Sequence, residues 1–154
     1  MLTAAQDDAI AAIKERGGDV ALYAESGEVV KVDLVDTQIT DAGLNHLKDL
    51  ASLAILNLRE TQITDAGLEH LKGLASLSSL GLNDTQIMDA GLVRLKGLTS
   101  LKWLYLNDTK ITDAGLEHMK GLTSLEELHL HNTQITDAVL ADIKAALPNC
   151  KVSK

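Results

Sequence analysis

A chain of 154 residues suits one domain and is too short for two ordinary ones. Its apolar fraction of 45% excludes intrinsic disorder, but with no Phe, one Trp and two Tyr the 28 leucines have to build the interior. Fourteen basic against 22 acidic residues give a formal charge of −8, and only Arg16, Arg59 and Arg94 offer guanidinium forks, which disfavours a nucleic-acid partner.

The acidic start, Met1 to Asp8, lacks the basic and apolar regions of a signal peptide, and no apolar run approaches the roughly 20 residues of a membrane span. Thr3 is placed to cap a helix running to about Arg16, with Ala9, Ile10 and Ile13 on one face and Gly17-Gly18 ending it. Val20 to Ala24 and Val29 to Leu34, joined through Ser26-Gly27, then read as a hairpin whose second strand begins a parallel series. Residues 1–36 therefore form a lid over an end that a stacked fold would otherwise leave open.

From Thr37 the chain repeats itself every 24 residues. Thr37-Gln38-Ile39-Thr40-Asp41-Ala42-Gly43-Leu44 returns at Thr61, at Thr85 with Met88 for Thr, at Thr109 with Lys110 for Gln, and at Thr133 with Val139 for Gly. Four units fill 37–132, and 133–154 close the far end, so the expectation is a single domain over 1–154. Within a unit Leu56-x-Leu58 alternates as a strand does, and Leu68, Leu71 and Leu74 are spaced as on a helix. Each unit is thus predicted to be one strand plus one helix.

The pattern L-x-x-L-x-L-x-x-T-x-I-T-D-A-G-L-x-H-L-K, running from about Val29, resembles the short bacterial type of leucine-rich repeat. It is also similar to the repeats of F-box proteins, which share the I-T-D-x-G-L turn. The resemblance implies a right-handed α/β solenoid with a parallel sheet on the concave face, helices on the convex face and, as a rule, a non-enzymatic protein-binding role.

Several columns run through the repeats. Thr37, Thr61, Thr85, Thr109 and Thr133 follow the strands, where a buried hydroxyl must bond the turn backbone of its own or an adjacent repeat. Thr64 or Asp65 is placed to cap the helix, and Asp41, Asp65, Asp89, Asp113 and Asp137 put negative charge at its start. Lys48, Lys72, Lys96, Lys120 and Lys144 balance the opposite ends. Gly43, Gly67, Gly91 and Gly115 imply close approach by the next repeat's backbone, and Val139 fits that reading because the last unit has no successor. Asp36, Glu60, Asp84 and Asp108 form a second acidic column at the strand exits, read as a solvated rim relieved by solvent, Lys110 or turn amides. His46, His70 and His118 belong to the repeat consensus, with Arg94 in the third unit, and read as solvated convex residues.

At the far end a helix from about Asp137 to Leu147 is stopped by Pro148, and Cys150-Lys151-Val152 repeats the strand pattern, making six parallel strands. Cys150 is the sole cysteine, so no internal disulfide forms. It reads as a buried apolar residue, and a cytoplasmic location is the expectation.

In x-L-x-L-x strands the leucines point inward, so the remaining positions form the concave surface. Its rows are Lys31, Asp33 and Val35; Ile55, Asn57 and Arg59; Ser79, Gly81 and Asn83; Trp103, Tyr105 and Asn107; Glu127, His129 and His131. Trp103 and Tyr105 are expected to be exposed anchors beside a shallow depression left by Ser79 and Gly81. The twelve residues from Ile55 to His131 in these rows are the predicted partner-binding site. His129 and His131 form an H-x-H pair with no third ligand in view, so neither a metal nor any other cofactor is predicted. No nucleophile, base and orienting residue are assembled from the sequence, and no catalytic residue is named.

Six strands give a face about 25 Å long and roughly 15–20 Å wide, or about 400–500 Å². A stable interface takes about 800 Å² per partner, so the face suits a peptide, a transient protein contact or a subunit of something larger. The predicted function is protein or peptide binding by a monomer. The alternative is structural, with weak self-association through the open ends or the concave face.

Overall fold

A computed structural model describes residues 1–23 and 25–154. Its first element is helix α1 (Ala4–Glu15), and local chemistry sets both ends. The Thr3 hydroxyl accepts from the Gln6 amide while the Gln6 side chain accepts from the Thr3 amide, a reciprocal capping box. At the other end Gly17 takes φ +81°, and the Gly17 and Gly18 amides donate to Lys14 and Ile13 carbonyls, the αL closure that glycine permits at no steric cost. Ala9 and Ile13 are buried against the sheet layers below.

Among the described residues the strands form one seven-stranded sheet in chain order. Strand β1 (Asp19–Leu22) pairs antiparallel with β2 (Val29–Asp33). Thereafter β3 (Ile55–Asn57), β4 (Ser79–Gly81), β5 (Trp103–Tyr105), β6 (Glu127–His129) and β7 (Lys151–Ser153) add in parallel. Each residue pairs with the one 24 positions on, as in Val32↔Leu56↔Leu80↔Leu104↔Leu128↔Val152. The expected hairpin and six parallel strands are present, with β1 starting at Asp19 and β2 ending at Asp33; Ala24, placed in the hairpin by the sequence, lies outside the described residues.

Leu56, Leu80, Leu104 and Leu128 point inward, as do the leucines two residues on, and the repeat leucines and isoleucines form one continuous core. This is the leucine-rich repeat fold, a parallel sheet of repeat strands with helical turns between and a helix at the start.

The helical half departs from expectation. The repeats carry short turns: 3₁₀ segments at Ala42–Asp49, Gly67–Leu71 and Glu117–Met119, and one-turn helices α2 (Asp89–Val93) and α3 (Asp113–Leu116). A 24-residue unit must leave one strand and re-enter the next in register. Tightening the turn to i→i+3 bonds does this in the fewest residues. Only the last unit has a longer helix, α4 (Asp137–Ala146), capped by the Thr136 hydroxyl and ended at Leu147 just before Pro148.

Of the two residues expected to cap the turn, the threonine serves: the Thr64 hydroxyl accepts from the Ala66 amide at 3.3 Å, as the Thr40 hydroxyl does from the Gly43 amide at 3.2 Å. The Asp column reaches forward by one repeat. Asp41 Oδ1 accepts from the Thr64 amide at 2.8 Å and Oδ2 from its hydroxyl at 2.6 Å. Asp89 holds Thr112, and Asp113 holds Thr136, through the same two bonds. Asp65 bonds only the amide at 88, because Met88 lacks the hydroxyl.

These carboxylates also explain three of the four glycines, Gly43 being crowded instead by Ile39 of its own unit. A Cβ on Gly67 would stand 2.5 Å from Asp41 Oδ1, and Gly91 and Gly115 face Asp65 and Asp89 in the same way. At these three positions the constraint comes from the preceding repeat, chiefly its Asp side chain, so Val139 is not explained by a missing successor.

The threonine column meets its prediction. The Thr37, Thr61, Thr85 and Thr109 hydroxyls are buried and donate to the carbonyls of Leu34, Leu58, Leu82 and Leu106 at 2.7–2.8 Å, each three residues back along the chain at its own strand's exit. Thr133 does the same to Leu130.

Candidate functional site

Strand pairing sets the candidate face. Ile55, Ser79, Trp103, Glu127 and Lys151 lie at one register position, and Asn57, Gly81, Tyr105, His129 and Ser153 at the next outward one. The predicted rows therefore do lie side by side on the sheet surface away from the helical turns.

Two aromatic expectations change. Trp103 and Tyr105 are each half-buried, because neighbouring strands at 4.8 Å spacing bring side chains against both flanks of the rings. The Lys102 ammonium also lies 5.8 Å from the Trp103 ring centroid, within cation–π range, and pairs with Glu126 at 3.1 Å. Tyr105 stacks on His129, with ring centroids 4.9 Å apart and planes at 25°.

The depression predicted at Ser79 and Gly81 is present, bounded by Tyr105 and not by Trp103. A hollow of about 300 Å³ opens toward the N-terminal half of the face, lined by Lys31, Asp33, Ile55, Asn57, Arg59 and Ser79 together with Gly81, Asn83 and Tyr105; Trp103 is not on its wall. Gly81 is buried, and a Cβ there would come within 2.7 Å of Asn57 Oδ1. Ile55 is 41% exposed and forms an apolar part of the wall.

Several predicted contact residues already have work inside the fold. Asn83 Oδ1 accepts from the Asn107 amide at 2.9 Å, and Asn107 Oδ1 from the His131 amide at 2.8 Å, which ties successive strand exits together. Arg59 reaches Glu60 at 2.8 Å and Asp84 at 3.8 Å. Lys31 and Asp33 approach to 3.8 Å.

The acidic column has a conformational role that the sequence reading missed. Asp36, Glu60, Asp84, Asp108 and Asn132 take φ of 53–58°, the left-handed region in which Asp and Asn are the most tolerated side chains after glycine. The Asp/Asn bias of the column was the available signal, with Glu60 its exception. Its charge is relieved by Arg59 and by the Asn132 amide on Asp108 at 2.7 Å, whereas Lys110 turns to Gln86.

At the C-terminal end of the face both ring nitrogens of His129 are engaged, Nε2 with Glu127 at 3.0 Å and Nδ1 with the Ser153 hydroxyl at 3.1 Å. The sequence reading assembled no such serine–histidine–carboxylate set, because Ser153 reaches His129 only through the parallel register. The three groups are half-exposed on an open sheet, without the water-excluding cleft that makes fixed donors effective on an oxyanion. His131 is exposed, and it does not join His129 on a third ligand: no group of three or more His, Cys, Asp or Glu side chains is arranged for a metal ion among the described residues.

On the convex side His46, His70 and His118 are half-buried, and Arg94, in their place in the third unit, bridges back to Glu69. Cys150 is buried beside Leu147, and burial first, then the nearby Glu127 charge, pushes its thiol pKa above the ordinary value. No helix among the described residues is long and apolar enough to cross a membrane.

Comparison with known proteins places this geometry. Residues 28–87 match the family model described as "Leucine rich repeat", and residues 99–144 match "Leucine Rich repeats (2 copies)". The structure resembles the internalin inlF of Listeria monocytogenes with a TM-score of 0.69 and 29% identity, covering 80% of this chain and 34% of that one. For the Listeria monocytogenes internalin inlC2 the values are 0.61 and 33%, covering 71% and 45%, so the chain spans less than half the length of either internalin. The ectodomain of the receptor kinase SOBIR1 from Arabidopsis thaliana, at 15% identity and TM-score 0.63 over 98% of this chain and 91% of that one, shares the fold. No curated protein matches the chain by sequence.

Proposed function

The chain belongs to the leucine-rich repeat family, whose domains are usually non-catalytic and generally bind proteins, and from that premise we propose that residues 1–154 act as one non-enzymatic module that binds a protein or peptide on its concave sheet face. The observation that carries the reading is the row on β5 and β6. Trp103 and Tyr105 remain part-exposed in register with Glu127 and His129, on a sheet surface that none of the helical turns covers.

The contact residues in this proposal are Trp103, Tyr105, Ile55, Ser79, Gly81 and Glu127, with Arg59, Asn57, His129 and the exposed His131 around them. Asn83 and Asn107 hold the surface in shape through their bonds to the next repeat. The buried, unpaired Cys150 favours a reducing compartment, consistent with a cytoplasmic protein.

Replacing Trp103 and Tyr105 together by Ala tests the proposal. A partner captured by the parent should be lost, at a cost of 2 kcal/mol or more for removing an interface anchor, while the chain stays folded. Undiminished capture by the double variant would overturn the reading.

A second reading, self-association, draws on the edge strand β1, where Leu22 is 48% exposed and the adjoining Tyr23 60%. Sedimentation over a hundredfold concentration range decides it, since a constant monomer mass excludes this role.

A further inference from the structure

We propose that the concave face takes an extended peptide segment that lays a Lys or Arg between Trp103 and Glu127 and places an apolar side chain in the hollow between Ile55 and Tyr105. This rests on the concave-face reading above and adds the chemistry of the partner.

The first support is the pairing of an indole with a carboxylate. Trp103 and Glu127 are register partners on adjacent parallel strands, both part-exposed. An aromatic face and a carboxylate one strand apart attract a cation by two separate means. Lys102 over the Trp103 ring is an internal example of the first. The Glu127 carboxylate has His129 Nε2 beside it at 3.0 Å, and Lys151, its register partner on β7, makes no ion pair with it.

The second support is the charge on the face. Lys31 already faces Asp33, and Arg59 is shared between Glu60 and Asp84. Asp36 and Asp108 complete the acidic row, leaving Lys151 as the face's one cation with no carboxylate within ion-pair distance among the described residues. Counting the face and its exits, six carboxylates stand against three cations, in keeping with a chain charge of −8. A basic segment is the complementary partner, and an acidic one would be repelled.

The third support is spacing. The hollow centres near β3 and β4, and the Trp103–Glu127 pair lies between β5 and β6, about two strand spacings or ~10 Å away. Residues i and i+2 of an extended segment are about 7 Å apart on one face, and the flexible stem of Lys or Arg covers the remainder. Tyr105, held by its stack on His129, stands between the two subsites.

The test uses three mixtures of capped heptapeptides with Leu fixed at the third position, Arg, Gln or Glu fixed at the fifth and the rest randomised. Each is passed over the immobilised full chain at low salt. The Arg mixture should be retained at least fivefold over the Gln mixture and the Glu mixture least, with the Arg preference falling as salt rises. Retained Arg peptides should also shift the emission of Trp103, the sole tryptophan. Glu127→Gln, a change at a part-exposed position checked by an unaltered melt, should cut the Arg-over-Gln preference at least twofold, the indole keeping the remainder.

Equal retention of all three mixtures, no retention of any, or an Arg preference left undiminished by Glu127→Gln overturns the inference. Equal retention that is lost in the Trp103→Ala, Tyr105→Ala variant would sink the cation subsite while leaving concave-face binding standing. Equal retention that persists in that variant would sink both.

Discussion

Asp41 and Asp137 occupy the same place in the repeat and have different surroundings. Asp41 is half-buried and holds Thr64 of the following unit by amide and hydroxyl, while Asp137, in the last unit described, is 97% exposed and meets Lys154 at 3.4 Å. The same contrast runs through the turns they begin. Interior units are short and tight, with a glycine pressed on the preceding carboxylate, whereas the last unit becomes a ten-residue α-helix with its own Thr136 cap and Val139 at the glycine position. A repeat unit's conformation is therefore partly a property of its neighbours. The Asp column acts as a staple between units and contributes little at Asp137, which holds no threonine of another unit among the described residues.

Mutations can break that contrast, and the core sets the upper end of the scale. Leu104→Ala, at a side chain with 0% exposure, should cost roughly 2–5 kcal/mol in urea unfolding by opening a cavity between adjacent repeats. A loss below 1 kcal/mol would show that the stacked leucines can collapse around it. Asp89→Ala should come next, at about 2–3 kcal/mol, because it removes two charge-assisted bonds and strands the Thr112 amide; Asp137→Ala should stay within about 0.5 kcal/mol. Equal losses at the two positions would refute the staple.

Smaller effects sharpen the same comparison. Gly91→Ala should cost about 1–3 kcal/mol by pressing its Cβ on Asp65, and Asp65→Ala in the same chain should relieve part of that penalty in a double-mutant cycle. The smallest effect belongs to Cys150, whose folded thiol holds its proton above the reference value of 9.0. Above that pH the native state binds more protons than the unfolded chain, so stability falls as pH rises from about 9 through the folded pKa. Cys150→Ala should flatten that fall, and the native thiol should label slowly until denaturant is added.

Much of the architecture was legible in the residues. The 24-residue period, the Leu-x-Leu alternation, the Thr3 and Gly17 signals of α1, and the buried threonines all follow from local preference and one-dimensional pattern, and each appears where the sequence put it. The helices were overestimated because apolar spacing in a short segment does not separate a 3₁₀ turn from an α-helix; the chain length available for the return decides between them.

The candidate face was legible as a set of positions and illegible as a shape. Alternation alone placed Ile55, Ser79, Trp103 and Glu127 on one surface, since a strand sends successive side chains to opposite faces. Whether Trp103 stands free or lies between neighbours, where the hollow opens, and how Ser153 meets His129 depend on side chains 24 residues apart brought within a strand spacing. The same holds for Asp41 reaching Thr64 and for the left-handed turns at Asp36 and its successors. Local propensity and period are carried by each residue's own chemistry, so the sequence alone determined the fold and its exposed columns. Contacts between units carry the energy that chooses among turn conformations and side-chain poses, so only the stacked structure decided those.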